Sequence, residues 1–426
     1  MIEKKVLANN VVLITEKIES AKTASIGLWF SAGSRYENKE NRGISHLTEH
    51  LLFKGTESVS ARNLALSFDR MGGFINAFTE RENVCVYCAV PALNGNFETA
   101  AEHLFDMSQS CVFPQDEFEK EKCVVQNEIS AVLDDSDESA LDELARTVWD
   151  FEPLSSPIGG SVEDVERITR EDVVSFYEEH FINGELLVIA CGKIDCDFLE
   201  KKTAALKNKK PFFDFENHPK FINPVAWKSG VNFSKAKFSQ AQVFLNFPVP
   251  CPLEEKESYA LCIFDAVAGD SMSSRLFQTL REKNGLCYNV YSFFTFYEKA
   301  ALWSCYASCN KEDVLKTVTL LVKEIKNFLT EQVSDEEIEN AKSHICGEEI
   351  MGSSDCEYLM KRHQKNFSLK FPLRNTEEVI QCIRSIEKND IIKLVEKIID
   401  VKKMNLIVYG PKIPSKIKKE ILWLAE

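Results

Sequence analysis

The sequence predicts an α+β fold made of two homologous α/β halves, each an antiparallel-rich sheet covered by helices. Three observations lead to this prediction. Segments with the periods of helices and strands alternate along the chain, and pairs of strands are joined by short polar turns. Two segments of the first half recur in the second half. The length of 426 residues also allows two to three domains with large cores.

The recurring segments have nearly the same spacing. Residues 171–192 resemble residues 389–410 with an offset of 218, and residues 62–90 resemble residues 274–308 with an offset of 212. The matched positions include Asp172 and Asp390, Gly192 and Gly410, and Gly73 and Gly285. Two similar offsets favour duplication of a whole half over a chance likeness between single helices.

A stretch without a clean period separates the two halves. Residues 204–225 are rich in Lys, Asn, Pro and Phe, a composition typical of a connection. We therefore predict a first half over residues 1–205, a linker over residues 206–225 and a second half over residues 226–426.

Turn residues divide the first half into strands and helices. Strands are predicted at residues 11–16, 24–30, 74–79, 83–90 and 185–192. Helices are predicted at residues 43–57, 61–71, 96–110, 114–133, 139–149 and 170–181. Gly72 and Gly73 end the second helix, because glycine readily adopts the left-handed conformation that closes helices. Pro114 opens the fourth helix, because proline is tolerated in a first turn.

Composition excludes several classes of function. The formal net charge of −15 argues against a nucleic-acid-binding protein. No stretch reaches the ~18 consecutive apolar residues of a membrane span, and residues 1–20 show no signal-peptide or transit-peptide pattern. We therefore expect a cytoplasmic protein whose 14 Cys are reduced thiols. Cys85 and Cys88 lie three apart in an alternating strand, so we expect them to face opposite sides and not to share a metal.

Residues 43–57 form the segment with the clearest chemistry. His46 and His50 are four residues apart, so on a helix they share one face and can bind one zinc ion. Glu49 flanks that face and can contact a metal-bound water without binding the metal. The pattern H-x-x-E-H is the inverted form of the H-E-x-x-H metalloprotease helix. The alternative is a helix whose two His and one Glu merely pack or face water.

A third protein ligand must come from elsewhere, because two His leave a tetrahedral zinc site half empty. Glu121 and Glu128 are seven residues apart, nearly two turns of the predicted helix, and therefore share a face. Glu128 is the candidate ligand, and Glu121 can support the site by orienting a ligand. A single Glu on a helix is otherwise usually solvated. The second half has no H-x-x-E-H, and residues 255–270, where it would recur, contain no His.

Together these segments resemble the pitrilysin/insulinase family of inverted zinc peptidases, most of all its bacterial, mitochondrial-processing-peptidase-like branch. The most specific part is GISHLTEHLLFKGT followed by EKCVVQNEI, with 77 residues between His50 and Glu128. GGFINAFTERENVCVYC resembles the hairpin at the family's substrate edge. LREKNGLCYNVYS resembles a second-half block with an Arg and a Tyr seven residues apart. The resemblance covers nearly the whole chain.

The resemblance implies a zinc-dependent endopeptidase that cleaves peptides or unfolded segments by Glu-assisted attack of a zinc-bound water. By this resemblance His46, His50 and Glu128 bind zinc, Glu49 is the catalytic base, and Glu121 supports the site. Asn76, Ala77 and Phe78 would bind the substrate backbone. Arg281 and Tyr288 would hold the substrate and contact the reacting carbonyl. The resemblance also implies a homodimer that encloses a chamber, with Arg281 and Tyr288 acting across the interface.

Two other functions fit the same resemblance. Some family members are catalytically silent core subunits of larger complexes, and the intact His46, Glu49, His50 and Glu128 argue against that role here. The chain could instead need a separate partner chain for activity. The sequence departs from the family pattern at Cys287, where a small residue is usual, and in residues 151–157, which lack a His-Pro pair.

Overall fold

A computed structural model describes residues 2–211 and 225–425 of the chain. In this part of the chain the strands form one six-stranded and one five-stranded sheet, and helices cover both sheets. This architecture confirms the predicted α+β fold. None of the described helices has both the length and the apolar character needed to cross a membrane.

The five strands predicted in the first half are present, with bounds that differ by at most one residue. The strands of the described residues are β1 (Ile2–Val6), β2 (Val12–Lys17), β3 (Thr23–Phe30), β4 (Phe74–Thr79), β5 (Val84–Pro91), β6 (Leu186–Gly192), β7 (Gly230–Lys235), β8 (Gln240–Pro248), β9 (Cys287–Tyr297), β10 (Ala300–Asn310) and β11 (Asn405–Gly410).

The α-helices of the first 211 residues are α1 (Ile44–Leu52), α2 (Ala61–Met71), α3 (Asn96–Met107), α4 (Gln115–Asp134), α5 (Ser136–Val148), α6 (Glu152–Ser155), α7 (Val162–Arg167), α8 (Arg170–Tyr177) and α9 (Cys196–Ala204). Those that follow residue 225 are α10 (Glu255–Ala268), α11 (Val314–Thr330), α12 (Asp335–Gly352), α13 (Cys356–Ser368), α14 (Thr376–Ser385), α15 (Lys388–Ile398) and α16 (Ser415–Ala425). Two π-helical turns, Glu178–Ile182 and Phe277–Glu282, and three short 3-10 turns, Ser34–Tyr36, Lys311–Asp313 and Val401–Lys403, complete the helical segments of the described residues.

The first sheet has the strand order β1-β2-β6-β3-β5-β4. Strands β2 and β6 are parallel, and the other neighbours in the sheet are antiparallel. Both faces are buried: α1, α3 and α8 contribute to the apolar core on one face, and α13 covers the other. Cys85 and Cys88 belong to these two different cores, which confirms that they face opposite sides of β5.

The second sheet repeats the first without its outermost strand. Its order is β7-β11-β8-β10-β9, with β7 and β11 parallel and the other neighbours antiparallel. The same sequence of one parallel and three antiparallel pairs runs from β2 to β4 in the first sheet. The sheet therefore confirms the two homologous halves, and the helix that corresponds to α1, α10, contains no His.

The chain divides into two compact units that are not continuous in sequence. Among the described residues, unit 1 contains residues 2–131, 156–211 and 351–375, and unit 2 contains residues 132–155, 225–350 and 376–425. Helix α5 thus belongs to the second sheet and α13 to the first. The predicted linker at residues 206–225 lies largely outside the described residues.

The predicted helix over residues 43–57 is wrong in its length, and the predicted helix over residues 96–110 also ends earlier, at Met107. Helix α1 ends at Leu52, and the chain turns at Gly55, whose φ is +106°. A Cβ at Gly55 would lie 3.0 Å from the carbonyl oxygen of Val59, so the turn brings backbone against backbone. Residues 54–57 carry no apolar period, so the pattern gave no support for extending the helix beyond Phe53. By contrast, α2 and β4 have the predicted bounds.

Candidate metal centre

Helix α1 places three polar side chains beside the first sheet. Leu47, Leu51 and Leu52 are fully buried and anchor the helix in the core of unit 1. The opposite side of the helix carries His46, Glu49 and His50. Since these positions are three and four residues apart, their side chains leave the helix as one group.

The carboxylate of Glu37 caps the start of α1. The residue before the helix, Gly43, has a φ of +84° and offers no side chain for capping. Both oxygens of Glu37 accept hydrogen bonds instead, from the backbone N–H of Gly43 and of Ser45, each at 2.9 Å. Glu37 is buried, so its negative charge lies directly at the positive end of the helix.

The donor atoms of His46, His50 and Glu128 converge. The two Nε2 atoms are 3.2 Å apart, and Oε2 of Glu128 lies 3.2 Å from Nε2 of His50 and 3.7 Å from Nε2 of His46. Metal–ligand bonds of 2.0–2.2 Å at tetrahedral angles separate ligand atoms by about 3.3 Å. The triangle of three donors therefore fits a tetrahedral zinc site with one position left over.

The protonation of His46 suits this arrangement. Burial and the neighbouring charge of His50 lower the pKa of His46 to about 4. The imidazole is therefore neutral near pH 7 and has a lone pair for a metal. The side chain of Glu128 is 49% exposed, so the centre can be reached from solvent.

Glu121 lies against the second ring nitrogen of His50. One oxygen of Glu121 lies 3.1 Å from Nδ1 of His50, and the other forms an ion pair with Nζ of Lys54 at 2.6 Å. A carboxylate behind a ligating His fixes the ring and directs its other nitrogen to the metal. The supporting role that the sequence analysis gives to Glu121 stays a prediction, and the structure places Lys54 behind this carboxylate.

Glu49 stands beside the three donors without joining them. It is not among the described residues whose donor atoms converge within 4.8 Å. Burial raises the pKa of the Glu49 carboxyl, and a hydrogen bond from Oγ1 of Thr79, 2.7 Å from Oε2, acts in the opposite direction. A carboxylate with a raised pKa next to a metal centre can accept a proton from a reacting water.

Strand β4 forms an edge of the first sheet next to α1. Asn76, Ala77 and Phe78 lie in its middle, and only β5 pairs with the strand within the described residues. The side chain of Asn76 accepts a hydrogen bond from the backbone N–H of Ala77 at 2.9 Å. The outer edge can take up another extended chain.

Arg281 and Tyr288 lie together in unit 2, whereas the metal centre belongs to unit 1. Arg281 is in the π-helical turn Phe277–Glu282, and Tyr288 follows at the start of β9. The guanidinium carbon is 4.5 Å from the centre of the Tyr288 ring, and Nη1 donates to the carbonyl oxygen of Tyr288 at 3.2 Å. Tyr288 is 75% exposed, so the pair is presented to solvent in the single chain.

Comparison with known proteins relates this arrangement to a family. The model of the insulinase family, peptidase family M16, matches residues 12–162, and that of the peptidase M16 inactive domain matches residues 167–345. A protein of Rickettsia felis named an uncharacterized zinc protease is 31% identical over 92% of this chain and 93% of its own length. The chain belongs to peptidase family M16.

Other M16 relatives agree with this membership. The uncharacterized zinc protease YmxG of Bacillus subtilis is 29% identical over 91% of this chain and 93% of its own length. Among solved structures, a peptidase M16 inactive domain from Pseudomonas fluorescens has a TM-score of 0.87 at 17% identity, covering 97% of this chain and 98% of its own. A protease from Helicobacter pylori has a TM-score of 0.85 at 18% identity, covering 96% and 100%. At these identities the structures show the M16 fold alone.

Sequence reasoning missed three residues of this candidate centre. Lys54 follows His50 by four residues, so helical spacing could have placed it on the same face. Glu37 and Thr79 left no such signal, because each reaches α1 from a neighbouring segment of the fold. Close backbone packing adds a further constraint: a Cβ at Gly159 would lie 3.3 Å from Nδ1 of His46.

Proposed function

We propose that the chain is a zinc-dependent endopeptidase that hydrolyses peptides or unfolded segments. The observation that carries the proposal is the convergence of the His46, His50 and Glu128 donor atoms beside Glu49. Membership in a peptidase family whose relatives are named zinc proteases supports it.

His46, His50 and Glu128 would hold the zinc ion. When bound, zinc supplies a Lewis acid that polarises a carbonyl and lowers the pKa of water. Glu49 takes the proton of the attacking water and later passes it to the leaving amine. Thr79 keeps the Glu49 carboxylate in place by its hydrogen bond, and Glu121 keeps the ring of His50 in place.

The open edge of β4 would bind the substrate as an additional strand. In this mode the affinity comes from backbone hydrogen bonds, and side chains adjust the preference. Asn76, Ala77 and Phe78 would contact the bound peptide. This mode predicts loose sequence specificity.

Replacement of Glu49 by Gln tests the proposed chemistry. Glu49→Gln preserves size but removes the proton acceptor, so we expect normal zinc binding and a kcat lower by about 10²- to 10⁴-fold. The assay is chelator-sensitive cleavage of a quenched peptide by the purified chain alone. Glu57→Gln, an exposed Glu beyond the end of α1, is the matched control.

Two results would contradict the proposal. Full activity of Glu49→Gln, after contaminating protease has been removed, would exclude Glu49 from the mechanism. A zinc-loaded wild-type chain that cleaves no peptide by itself would favour a silent or partner-dependent subunit.

We also propose that the chain acts as a homodimer in which Arg281 and Tyr288 serve the metal centre of the partner. The exposure of Tyr288 and its contact with Arg281 in unit 2 support this role. Hydrogen bonds and charge at a developing oxyanion are a large source of rate enhancement. Tyr288 would stabilise the oxyanion, and Arg281 would hold the substrate.

Mixing two inactive variants tests action across the interface. Hybrids of Glu49→Gln and Arg281→Ala subunits contain one complete centre, so random pairing should restore about a quarter of wild-type activity. Subunit exchange is verified by affinity tags on the two variants. No recovery in verified hybrids would show that Arg281 does not act across the interface.

A further inference from the structure

Helices α11 and α16 lie side by side on the second sheet. Their buried side chains, among them Leu321, Ile325 and Ile421, share one apolar core on the face of the sheet opposite to α5. Strands β10 and β11 are both antiparallel to β8 and therefore run in the same direction. Each helix follows its strand and packs back on the sheet, so the two helices also run in the same direction.

The outward sides of both helices are lined with lysines. In α11 they stand at positions i, i+7 and i+10, and in α16 at i and i+3. These spacings place the side chains of each helix on one face. The exposed lysines are Lys316, Lys323 and Lys326 of α11 and Lys416 and Lys419 of α16. The two helices together contain only two acidic residues, Glu324 and Glu420.

The positive charge of this surface is not compensated. Within the residues that the structure describes, no salt bridge or hydrogen bond involves the ammonium group of any of these five lysines. Glu324 interacts electrostatically with Arg275 instead, and Glu420 follows Lys416 by four residues without pairing with it. The formal net charge of the chain is −15, so this surface has the opposite sign to the molecule as a whole. Such a local field attracts anionic partners.

Large apolar side chains are exposed in the last turns of the same two helices. Trp423 is 74% exposed, Leu422 44% and Leu329 40%. Trp423 follows Lys416 by seven residues and Lys419 by four, so the indole shares their outward face. Tryptophan beside lysine is typical of helices that lie at a membrane surface, where the ring sits among the headgroups and the ammonium groups face lipid phosphates. A soluble polyanion would not bury these apolar side chains.

We propose that the outward surface of α11 and α16 docks peripherally on a membrane that contains anionic lipids. The five lysines would lie near the phosphates, and Trp423, Leu422 and Leu329 would enter the boundary between headgroups and acyl chains. Each lysine near an anionic surface strengthens binding by a factor of about five at moderate salt. The docking does not depend on the proposed peptidase activity.

Sedimentation with lipid vesicles tests the charge. We expect the chain to bind vesicles of phosphatidylcholine with phosphatidylglycerol and not vesicles of phosphatidylcholine alone, and added salt should weaken the binding. Changing four of the lysines to Gln should weaken it at least about 100-fold. The variant is Lys316→Gln/Lys323→Gln/Lys416→Gln/Lys419→Gln. The control changes four exposed lysines of unit 1 and the same net charge, Lys22→Gln/Lys201→Gln/Lys207→Gln/Lys210→Gln, and should bind as the wild type does.

Tryptophan fluorescence tests the orientation on the membrane. Trp29, Trp149 and Trp303 are at most 2% exposed, whereas Trp423 is largely exposed. Anionic vesicles with brominated acyl chains should therefore quench the wild type, and Trp423→Phe should remove the quenching.

Three results would overturn the proposal. The first is no binding to anionic vesicles at low salt, and the second is an equal loss of binding in the control variant. The third is quenching that persists in Trp423→Phe. If the lysine variant abolishes binding to polyphosphate or dimerisation, and the wild type binds no vesicles, the surface serves a soluble polyanion or a second copy of the chain instead.

Discussion

The two His of the candidate metal centre are held in different ways at the scale of single residues. The ring of His50 is oriented electrostatically, because Glu121 faces its Nδ1 and Lys54 faces Glu121. Nδ1 of His46 instead meets the backbone of Gly159, and it has no hydrogen-bond partner among the described residues. At Nδ1 the ring is therefore positioned by packing and not by a hydrogen bond. We infer that the metal affinity of the centre depends more on polar neighbours at His50 than at His46.

The hydrogen bond from Thr79 to Glu49 gives a prediction for the pH profile. This bond lowers the pKa of Glu49, which burial raises, so Thr79→Val should raise that pKa further. Glu49 must be ionised to accept a proton, and the acidic limb of kcat/KM should therefore move to higher pH. A hydrogen bond to a charged group contributes about 1.5–3 kcal/mol. The loss of this bond in Thr79→Val should therefore lower kcat/KM at least about tenfold.

The control for Thr79 keeps the hydroxyl. Thr79→Ser should leave the acidic limb close to that of the wild type. If Thr79→Val and Thr79→Ser have the same pH profile, the hydrogen bond to Glu49 does not influence the reaction.

At the scale of elements, helix α1 depends on a cap that comes from outside it. Gly43 starts the helix with a positive φ, and a Cβ there would lie 2.4 Å from the carbonyl oxygen of Gly159. Glycine is therefore needed at this position, and it cannot cap the helix with a side chain. Glu37 provides the cap and, through the helix, the position of His46 and His50.

Removal of this cap should weaken both the fold and the metal centre. Loss of a helix cap costs about 0.5–2 kcal/mol, and we expect Glu37→Ala to lie near the upper end because both oxygens bind backbone N–H groups. Urea unfolding measures the stability, and competition with a chelator measures the zinc affinity, which should also fall. Glu40→Ala, an exposed acidic residue of the same loop, is the control. Equal effects of the two changes would contradict the capping role.

At the scale of the whole molecule, each compact unit is completed by a helix from the other half of the sequence. Unit 1 uses α13, which packs on β3 and β6, and unit 2 uses α5, which packs on β8 and β11. Leu359, Met360 and Phe367 of α13 are buried against the first sheet. Each such side chain contributes about 2 kcal/mol on burial, so unit 1 loses much of its core without this segment.

Dissection of the chain tests this exchange of helices. A fragment of residues 1–211 should expose the face of the first sheet that includes Trp29 and Ile189, and it should unfold without a cooperative transition. The same fragment with residues 351–375 attached by a flexible linker should bury that face and unfold cooperatively. Calorimetry and binding of a hydrophobic dye distinguish the two fragments. Cooperative unfolding of the shorter fragment would contradict the role given to α13.

Local pattern was enough to predict several elements of the first half and the shared face of two His. The bounds of α2 and β4 follow from apolar period and from glycine, because both signals act within a few residues. His46 and His50 share a face for the same reason, since four residues nearly complete one turn of a helix. The similarity between the halves also predicted a common architecture, and the structure shows a strand order common to the two sheets.

Tertiary structure alone decided which distant residues meet. Glu37 and Thr79 reach α1 from neighbouring segments, and Glu16 meets His363 from the opposite end of the chain. The sequence by itself determined five strands of the first half, the duplication and the shared face of the two His, because periodicity records which face of an element is buried. It did not determine the exchange of α5 and α13 or the partners of Glu16. Contacts between elements depend on how whole faces pack, and no repeat along the chain encodes that choice.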